Sequence, residues 1–328
     1  MSMTRAELQD AADKAFGQSD LAPDAEKAWG LIAEMGFLMM AVPEAQGGLG
    51  LGLEAAGVVH DALGRVLVPG PAIAQMLVIE ALNAADTLAD RDSLIERAVG
   101  GEVMTASLAL RNSATLLTCV PNADRASHVL LVEEARIALL PMDGLTITPR
   151  DTWDKTRRLF DVSVDGSTPQ IILAEGNAST ALAQRLSMQR SFALAADSLG
   201  GANATLRLTI DYLETRHQFD RPLALFQALK HRVADLKTAI VAAEALLWER
   251  ASDRAMDAIT MGALKAHACN VYRMVTEEAV QLHGGIGLTM EHHCHLFLKR
   301  AMLNAALGGD ADHWEEETGR QALGQAIA

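Results

Sequence analysis

The chain has 328 residues, of which 50% are hydrophobic and 21% are charged, and its formal net charge is −14. This length allows two or three domains around a sizeable core. Because so acidic a surface repels phosphate groups, we expect neither nucleic acid nor a membrane surface as a partner. Three cysteines lie far apart, and no apolar run is long enough to cross a bilayer, so we expect a cytoplasmic protein.

Hydrophobic spacing divides the chain into three blocks. Residues 1–98 contain apolar positions at helical spacing on both sides of a glycine-rich loop, which predicts an N-terminal helical domain. Residues 99–176 contain short apolar or alternating runs that turn formers interrupt, which predicts a central antiparallel β domain. Residues 177–328 return to helical spacing and predict a four-helix bundle. The predicted fold class is therefore mainly α with a central antiparallel β domain.

Two segments of the last block stand out. The first is RHQFDRPL at residues 216–223, followed by Phe226 and Gln227, and the second is QLHGGIGLT at residues 281–289. In this order and at this separation, they resemble signature segments of the acyl-CoA dehydrogenase superfamily. The segment at residues 43–65 is also similar to the N-terminal domain of that family. The resemblance implies a helical N-terminal domain, a barrel-like β domain and a C-terminal four-helix bundle.

The resemblance implies FAD as the cofactor and an acyl-CoA thioester as the substrate. Arg216 is suited to the negative pyrophosphate of FAD, Phe219 can form an apolar wall, and glycines let the backbone approach a ligand closely. In the family these segments grip the flavin of a neighbouring subunit, so a dimer or tetramer is implied. The predicted cofactor-binding residues are Arg216, Gln218, Phe219, Phe226, Gln227, Gln281, Gly284 and Gly285.

Purely structural roles are open for the same residues. Arg216 suits the C-terminal end of a helix dipole, and Gly284 suits a helix C-cap. His292 and His295 are spaced three residues apart and could share a helical face, as metal ligands do. Because family members without a metal carry a similar run there, we expect a packing role for these histidines and no metal site.

The catalytic base of the family is not evident in this chain. The family removes an α proton from the thioester with a carboxylate while a hydride leaves the β carbon. Alignment to the two places where relatives carry this carboxylate gives Gly308 and Arg190. Asp197 and Glu291 are the nearest alternatives, although a solvated helix face and a structural ion pair respectively would also explain them.

The β domain also departs from the family, because its Thr-Glu-Pro loop and its Trp-containing strand are missing. The chain therefore resembles the short subunit of two-subunit bacterial acyl-CoA dehydrogenases, many of which act on steroid-derived CoA thioesters. The predicted function is FAD-dependent α,β-dehydrogenation of an acyl-CoA, as a subunit that completes the flavin site of a full-length paralogue. Two alternatives stay open: a homo-oligomeric dehydrogenase with a relocated base, and a non-catalytic scaffold.

Overall fold

The N-terminal part of the computed structural model is helical, as predicted. The model describes residues 4–17, 20–40, 42–252 and 257–327. Thr4 and Glu7 form a reciprocal capping box at the start of the first helix, and Asp24 caps the second. The helices of this part are α1 (Arg5–Phe16), α2 (Ala25–Glu34), α3 (Gly52–Arg65), α4 (Ala72–Asn83) and α5 (Arg91–Val99).

The central part is a β domain of two sheets. Its strands are β1 (Met104–Ala106), β2 (Leu116–Pro121), β3 (His128–Val132), β4 (Arg136–Pro141), β5 (Thr146–Arg150), β6 (Leu159–Ser163) and β7 (Ile171–Glu175). One sheet has the order β1-β3-β4-β7 and the other has the order β2-β6-β5. The prediction of a purely antiparallel domain is wrong at one pair, since β1 runs parallel to β3. Between these strands the chain crosses to the other sheet to form β2, and this crossover allows the parallel pairing.

The C-terminal part is a bundle of long helices, which confirms the predicted fold class. Its helices are α6 (Asn177–Thr215), α7 (Gln227–Ser252), α8 (Ala258–His283), α9 (Cys294–Ala306) and α10 (Ala311–Ile327). The first four pack around a shared apolar core that includes Leu199, Ile240, Val271 and Phe297. Across the described residues, no helix is both long enough and apolar enough to cross a membrane.

The N-terminal helices are joined to the bundle by a very close crossing of α3 and α6. A Cβ on Gly64 would stand 2.1 Å from the carbonyl oxygen of Asp197, and a Cβ on Gly200 would stand 2.0 Å from that of Asp61. No side chain fits at such distances, so both positions require glycine. The crossing brings His60 of α3 and Asp197 of α6 to the same small internal cavity.

Candidate functional site at one end of the helical bundle

The first predicted segment forms a tight hairpin directly after α6. Strand β8 (His217–Gln218) pairs antiparallel with strand β9 (Arg221–Pro222). The two residues between them, Phe219 and Asp220, have φ angles of 53° and 61°, the left-handed conformation that two-residue hairpins favour. The turn projects Phe219 outward, so its ring is 84% exposed. A large apolar side chain held out in this way is available to a ligand or to another chain.

The base of the hairpin is held by aromatic contacts. The guanidinium of Arg221 lies 4.0 Å from the centroid of the Phe226 ring, and the Phe219 and Phe226 rings are 6.0 Å apart in an edge-on arrangement. The side chains of Arg216, Gln218 and Gln227 are exposed around this cluster. Within the described part of the chain, no carboxylate forms an ion pair with Arg216. Its five N–H donors are therefore open to an anion from outside.

The second predicted segment follows at the end of α8. Gly284 caps this helix with a φ of 63°, so the C-cap role considered from the sequence is correct. A Cβ on Gly284 or on Gly285 would meet no atom within 4 Å. Both glycines and Gln281 are exposed. The open space at the two glycines leaves their backbone accessible from outside, as the predicted cofactor-binding role requires.

Tyr212 joins the two segments, and this role was not recognised from the sequence. Its hydroxyl donates a hydrogen bond of 3.2 Å to the carbonyl of His283, and the two rings stack 4.4 Å apart. Since Tyr212 lies near the end of α6 and His283 ends α8, this contact sets the hairpin beside the glycine turn. All eight predicted cofactor-binding residues thus lie at one end of the bundle.

The histidines near the glycine turn take part in this packing. The rings of His283 and His292 are 4.3 Å apart, and His283 Nδ1 lies 2.7 Å from the carbonyl oxygen of Ala279. Burial lowers the pKa of both histidines, which favours the neutral form of each ring. In the ranges that the structure describes, no group of three or more His, Cys, Asp or Glu side chains is arranged to hold a metal ion.

The two positions that the resemblance to the family predicts for the catalytic base, Arg190 and Gly308, lie close together in space. The Nε atom of Arg190 lies 3.1 Å from the point where a Cβ on Gly308 would stand. The backbone of the loop after β1 covers both: Gly308 N donates to the carbonyl of Leu108 at 2.9 Å, and Arg190 Nη1 donates to the carbonyl of Ala109 at 2.6 Å. A cation and a glycine therefore meet where the resemblance to the family predicts a carboxylate.

Asp197 lies about five helical turns before the end of α6, far from the hairpin. The solvated position considered from the sequence is wrong, because this residue is only 3% exposed. Its carboxylate accepts from Arg157 at 2.9 Å, from Arg300 at 3.3 Å and from Asn304 at 2.7 Å. Burial alone would raise the pKa of Asp197, but the two arginines outweigh it and hold the pKa below its ordinary value. Such a carboxylate is a poor proton acceptor.

The buried network around Asp197 was not recognised in the sequence. Arg300 of α9 also donates to Asp154 at 2.7 Å, and Asp154 lies in the loop between β5 and β6. Two arginines and two aspartates therefore neutralise one another where the β domain meets α6 and α9. Glu291, the other candidate base, is exposed beyond the glycine turn. In the described part of the chain it forms no ion pair, so the structural pairing considered from the sequence is absent there.

Comparison with known proteins shows similarity over nearly the whole chain. Residues 2–102 match the acyl-CoA dehydrogenase N-terminal domain, and residues 179–322 match the C-terminal domain. The acyl-CoA dehydrogenase IpdE2 of Mycolicibacterium smegmatis is 34% identical over 300 residues, which cover 91% of this chain and 88% of that protein.

Solved structures share the complete architecture. A variant of the Tcur3481-Tcur3483 steroid ACAD aligns with a TM-score of 0.87 and 26% identity over 99% of both chains. The ChsE4-ChsE5 complex from Mycobacterium tuberculosis aligns with a TM-score of 0.82 and 22% identity over 98% of this chain and 99% of its own. Together with the matched domains and the bundle-end geometry, these similarities lead to one conclusion: the chain belongs to the acyl-CoA dehydrogenase family.

Proposed function

We propose that this chain is the short subunit of a FAD-dependent acyl-CoA dehydrogenase that contains two different subunits. In this role it extends its bundle end to a flavin that a full-length acyl-CoA dehydrogenase paralogue holds, and the paralogue supplies the catalytic base. The names of two structural relatives, Tcur3481-Tcur3483 and ChsE4-ChsE5, each describe a pair of different chains. This chain shares their architecture from end to end, which supports the same kind of pairing.

The observation that carries the proposal is the replacement of the base. Arg190 and Gly308 meet at the position where either family arrangement would put a carboxylate. A guanidinium is always protonated near neutral pH, since even burial lowers the pKa of Arg190 only to about 10. It cannot accept the α proton of a thioester. The chain's own cleft is therefore unsuited to the first step of the family reaction, whereas its bundle end keeps the full set of exposed contact residues.

The bundle end fits FAD on physical grounds. Arg216 offers an uncompensated cation for a pyrophosphate, and Phe219 offers an exposed ring against which an apolar ring system can pack. The space in front of Gly284 and Gly285 lets a ligand reach the backbone. Gln281, Gln218 and Gln227 can each donate and accept hydrogen bonds at the rim. Phe226 supports Phe219 from behind.

When bound, FAD supplies the acceptor for the hydride that leaves the β carbon of an acyl-CoA thioester. The contribution of this chain is to bind and orient. Arg216 neutralises charge, Phe219 excludes water, and Tyr212 keeps the hairpin and the glycine turn at a fixed separation. Asp197 is already committed to two arginines, and Glu291 is exposed on the surface, so we assign no proton transfer to either residue.

Reconstitution tests the proposal. The chain is purified alone, and then after co-expression with each full-length acyl-CoA dehydrogenase paralogue of the same genome. We expect the chain alone to contain little FAD. With the correct paralogue, we expect a stable yellow complex whose flavin absorbance falls when an acyl-CoA substrate is added. Full FAD occupancy and turnover by the chain alone would instead establish an independent homo-oligomeric enzyme. Failure of every pairing to bind FAD would indicate a scaffold that has lost the chemistry.

A further inference from the structure

The segment that follows α8, residues 284–293, has little buried surface. Gly287 is its only buried residue. Three large apolar side chains of the segment are exposed: Ile286, Leu288 and Met290. Because little burial stabilises it, such a segment opens at a low cost in free energy. Its position therefore depends on the rings near its two ends, His283 and His292, which lie 4.3 Å apart.

Hydrogen bonds fix the position of the hydrogen on each of these two rings. His283 Nδ1 donates to the carbonyl oxygen of Ala279 at 2.7 Å, so this nitrogen carries the hydrogen. The Nε2 atom of His283 is buried without a partner among the described residues, so a proton there has no acceptor. Cys294 N donates to His292 Nδ1 at 3.3 Å, so this nitrogen is an acceptor and carries no hydrogen. The observed hydrogen bonds therefore require both rings to be neutral.

Protonation of His292 would disturb the start of α9. A proton on Nδ1 turns this acceptor into a donor and removes the hydrogen bond from Cys294 N. Cys294 begins α9, and the first N–H groups of a helix have no partner within the helix itself. The new charge would also lie at the positive end of the α9 dipole. One proton therefore removes a cap and adds an unfavourable charge at the same helix end.

The groups around His292 also oppose a positive charge there. Its titratable neighbours on the packed elements are Tyr212 of α6, His283 of α8, Glu291 and His293 of the segment, and His295 and Lys299 of α9. Burial is the largest cause that lowers the pKa of His292, and the three neighbouring histidines lower it further. Glu291 is the one acid in this group. It is exposed and forms no ion pair with His292 in the described part of the chain.

We propose that His292 is a proton-sensitive latch that holds residues 284–293 against the bundle. The neutral ring caps α9 and packs on His283, which keeps the backbone of Gly284 and Gly285 in its observed position. When the ring gains a proton, the cap is lost and the segment opens. This latch goes beyond the proposed function and does not rest on it, because it needs neither FAD nor a partner subunit.

The direction of the pH dependence follows from the contacts of the closed segment. In the open segment His292 is solvated, and its pKa returns to the ordinary value of about 6.5. In the closed segment the pKa of His292 is lower. The closed form is therefore fully stable above about pH 6.5, and its equilibrium constant falls up to about tenfold for each pH unit below that value.

Hydrogen exchange of the full chain, followed by mass spectrometry and corrected for the intrinsic effect of pH, tests the proposal. Between about pH 7.5 and about pH 5.5, we expect the protection of residues 284–296 to fall about tenfold. Protection of the bundle core around Leu199 should not change. His292→Asn keeps an acceptor for Cys294 N and cannot gain a proton in this range, so the fall should disappear. The matched control His267→Asn removes an exposed histidine of α8, and it should show the same fall as the wild type.

Three results would overturn the proposal: equal protection of the segment at both pH values in the wild type, an undiminished fall in His292→Asn, or an equal fall along the whole chain. The wild-type comparison needs no variant, so it is decisive even if His292→Asn folds poorly. Because no flavin is measured, failure here leaves the reconstitution result of the proposed function untouched.

Discussion

Arginine is used in opposite ways in two regions of this molecule. At the bundle end, Arg216 is exposed and has no ion-pair partner in the described residues, while at the buried junction Arg157 and Arg300 are held by Asp154 and Asp197. In the proposed function Arg216 serves cofactor binding, whereas Arg157 and Arg300 hold the fold together at the junction. We therefore expect substitutions at the junction to lower the free energy of unfolding. Substitutions at the bundle end should lower cofactor affinity and leave the free energy of unfolding nearly unchanged.

The largest expected effect is on stability, at the centre of the junction. Arg300→Met keeps the size of the side chain but leaves Asp154 and Asp197 without one of their partners. Breaking a buried ion network in this way costs about 3–5 kcal/mol, because uncompensated charges remain in the interior. We expect the urea midpoint of unfolding to fall accordingly.

The matched control for Arg300 is Arg320→Met on α10. Arg320 pairs with Glu316 and Glu317 at the surface. Exposed pairs contribute between about 0 and 1 kcal/mol, so the midpoint should hardly move. Equal losses in the two variants would contradict the assignment of the junction as the point where the domains are held together.

The second-largest expected effect is a pH dependence of stability, and it arises at His60, which lines the same cavity as Asp197 of the junction. Burial, outweighing the attraction of Asp197, lowers the pKa of His60 from 6.5 to about 4. A depressed pKa gives stability that is fully present above pH 6.5 and is lost as the pH falls towards 4. The expected loss for His60 is up to about 3 kcal/mol.

Substitution of His60 by Gln separates this contribution from that of other groups. The other histidines are unchanged in the variant, so their contributions are the same in both proteins. We therefore expect the free energy of unfolding of His60→Gln to depend less steeply on pH between 6.5 and 4 than that of the wild type. Parallel curves would show that His60 does not stay neutral in the folded chain.

The glycine C-cap at Gly284 could be predicted from the sequence, whereas the hairpin at Phe219 was not predicted although short-range rules determine it too. A two-residue turn at Phe219 and a glycine C-cap at Gly284 are fixed by their immediate neighbours. The three-block division and the four-helix bundle followed in the same way from hydrophobic spacing. Each of these features depends on the spacing of residues within one element or one turn.

The junction could not be predicted, because its partners are far apart in the chain. Arg300 meets a residue 146 positions away, and Asn304 meets one 107 positions away. Asp197 looked like a helix-surface residue because a charged side chain on a helix is usually solvated, and only the packed structure shows that it is enclosed. The parallel pairing of β1 with β3 was missed for the same reason, since strand order depends on contacts across both sheets.

The third expected effect is a loss of FAD affinity on substitution at the bundle end. In the complex with its full-length partner, Arg216→Ala removes a cation from the proposed pyrophosphate contact. A charge-assisted hydrogen bond contributes about 1.5–3 kcal/mol, so FAD should bind at least about tenfold more weakly. The free energy of unfolding, measured in urea, should stay within about 0.5 kcal/mol of the wild-type value, as for other surface substitutions. If Arg216→Ala instead lowers the free energy of unfolding and leaves FAD affinity unchanged, Arg216 stabilises the fold and does not bind the cofactor.

The smallest effect concerns the link between the two flavin-contact segments, and the chain's two tyrosines provide the test. Tyr212→Phe removes the hydrogen bond to the carbonyl of His283 but keeps the ring stack. One neutral hydrogen bond contributes about 1 kcal/mol, so we expect FAD affinity of the complex to fall about fivefold, less than in Arg216→Ala. Tyr272→Phe is the matched control, because the buried hydroxyl of Tyr272 has no hydrogen-bond partner among the described residues and its removal costs nothing. A fall in FAD affinity in Tyr212→Phe alone would mean that the separation of the two segments, and not only their exposed side chains, determines how the flavin is held.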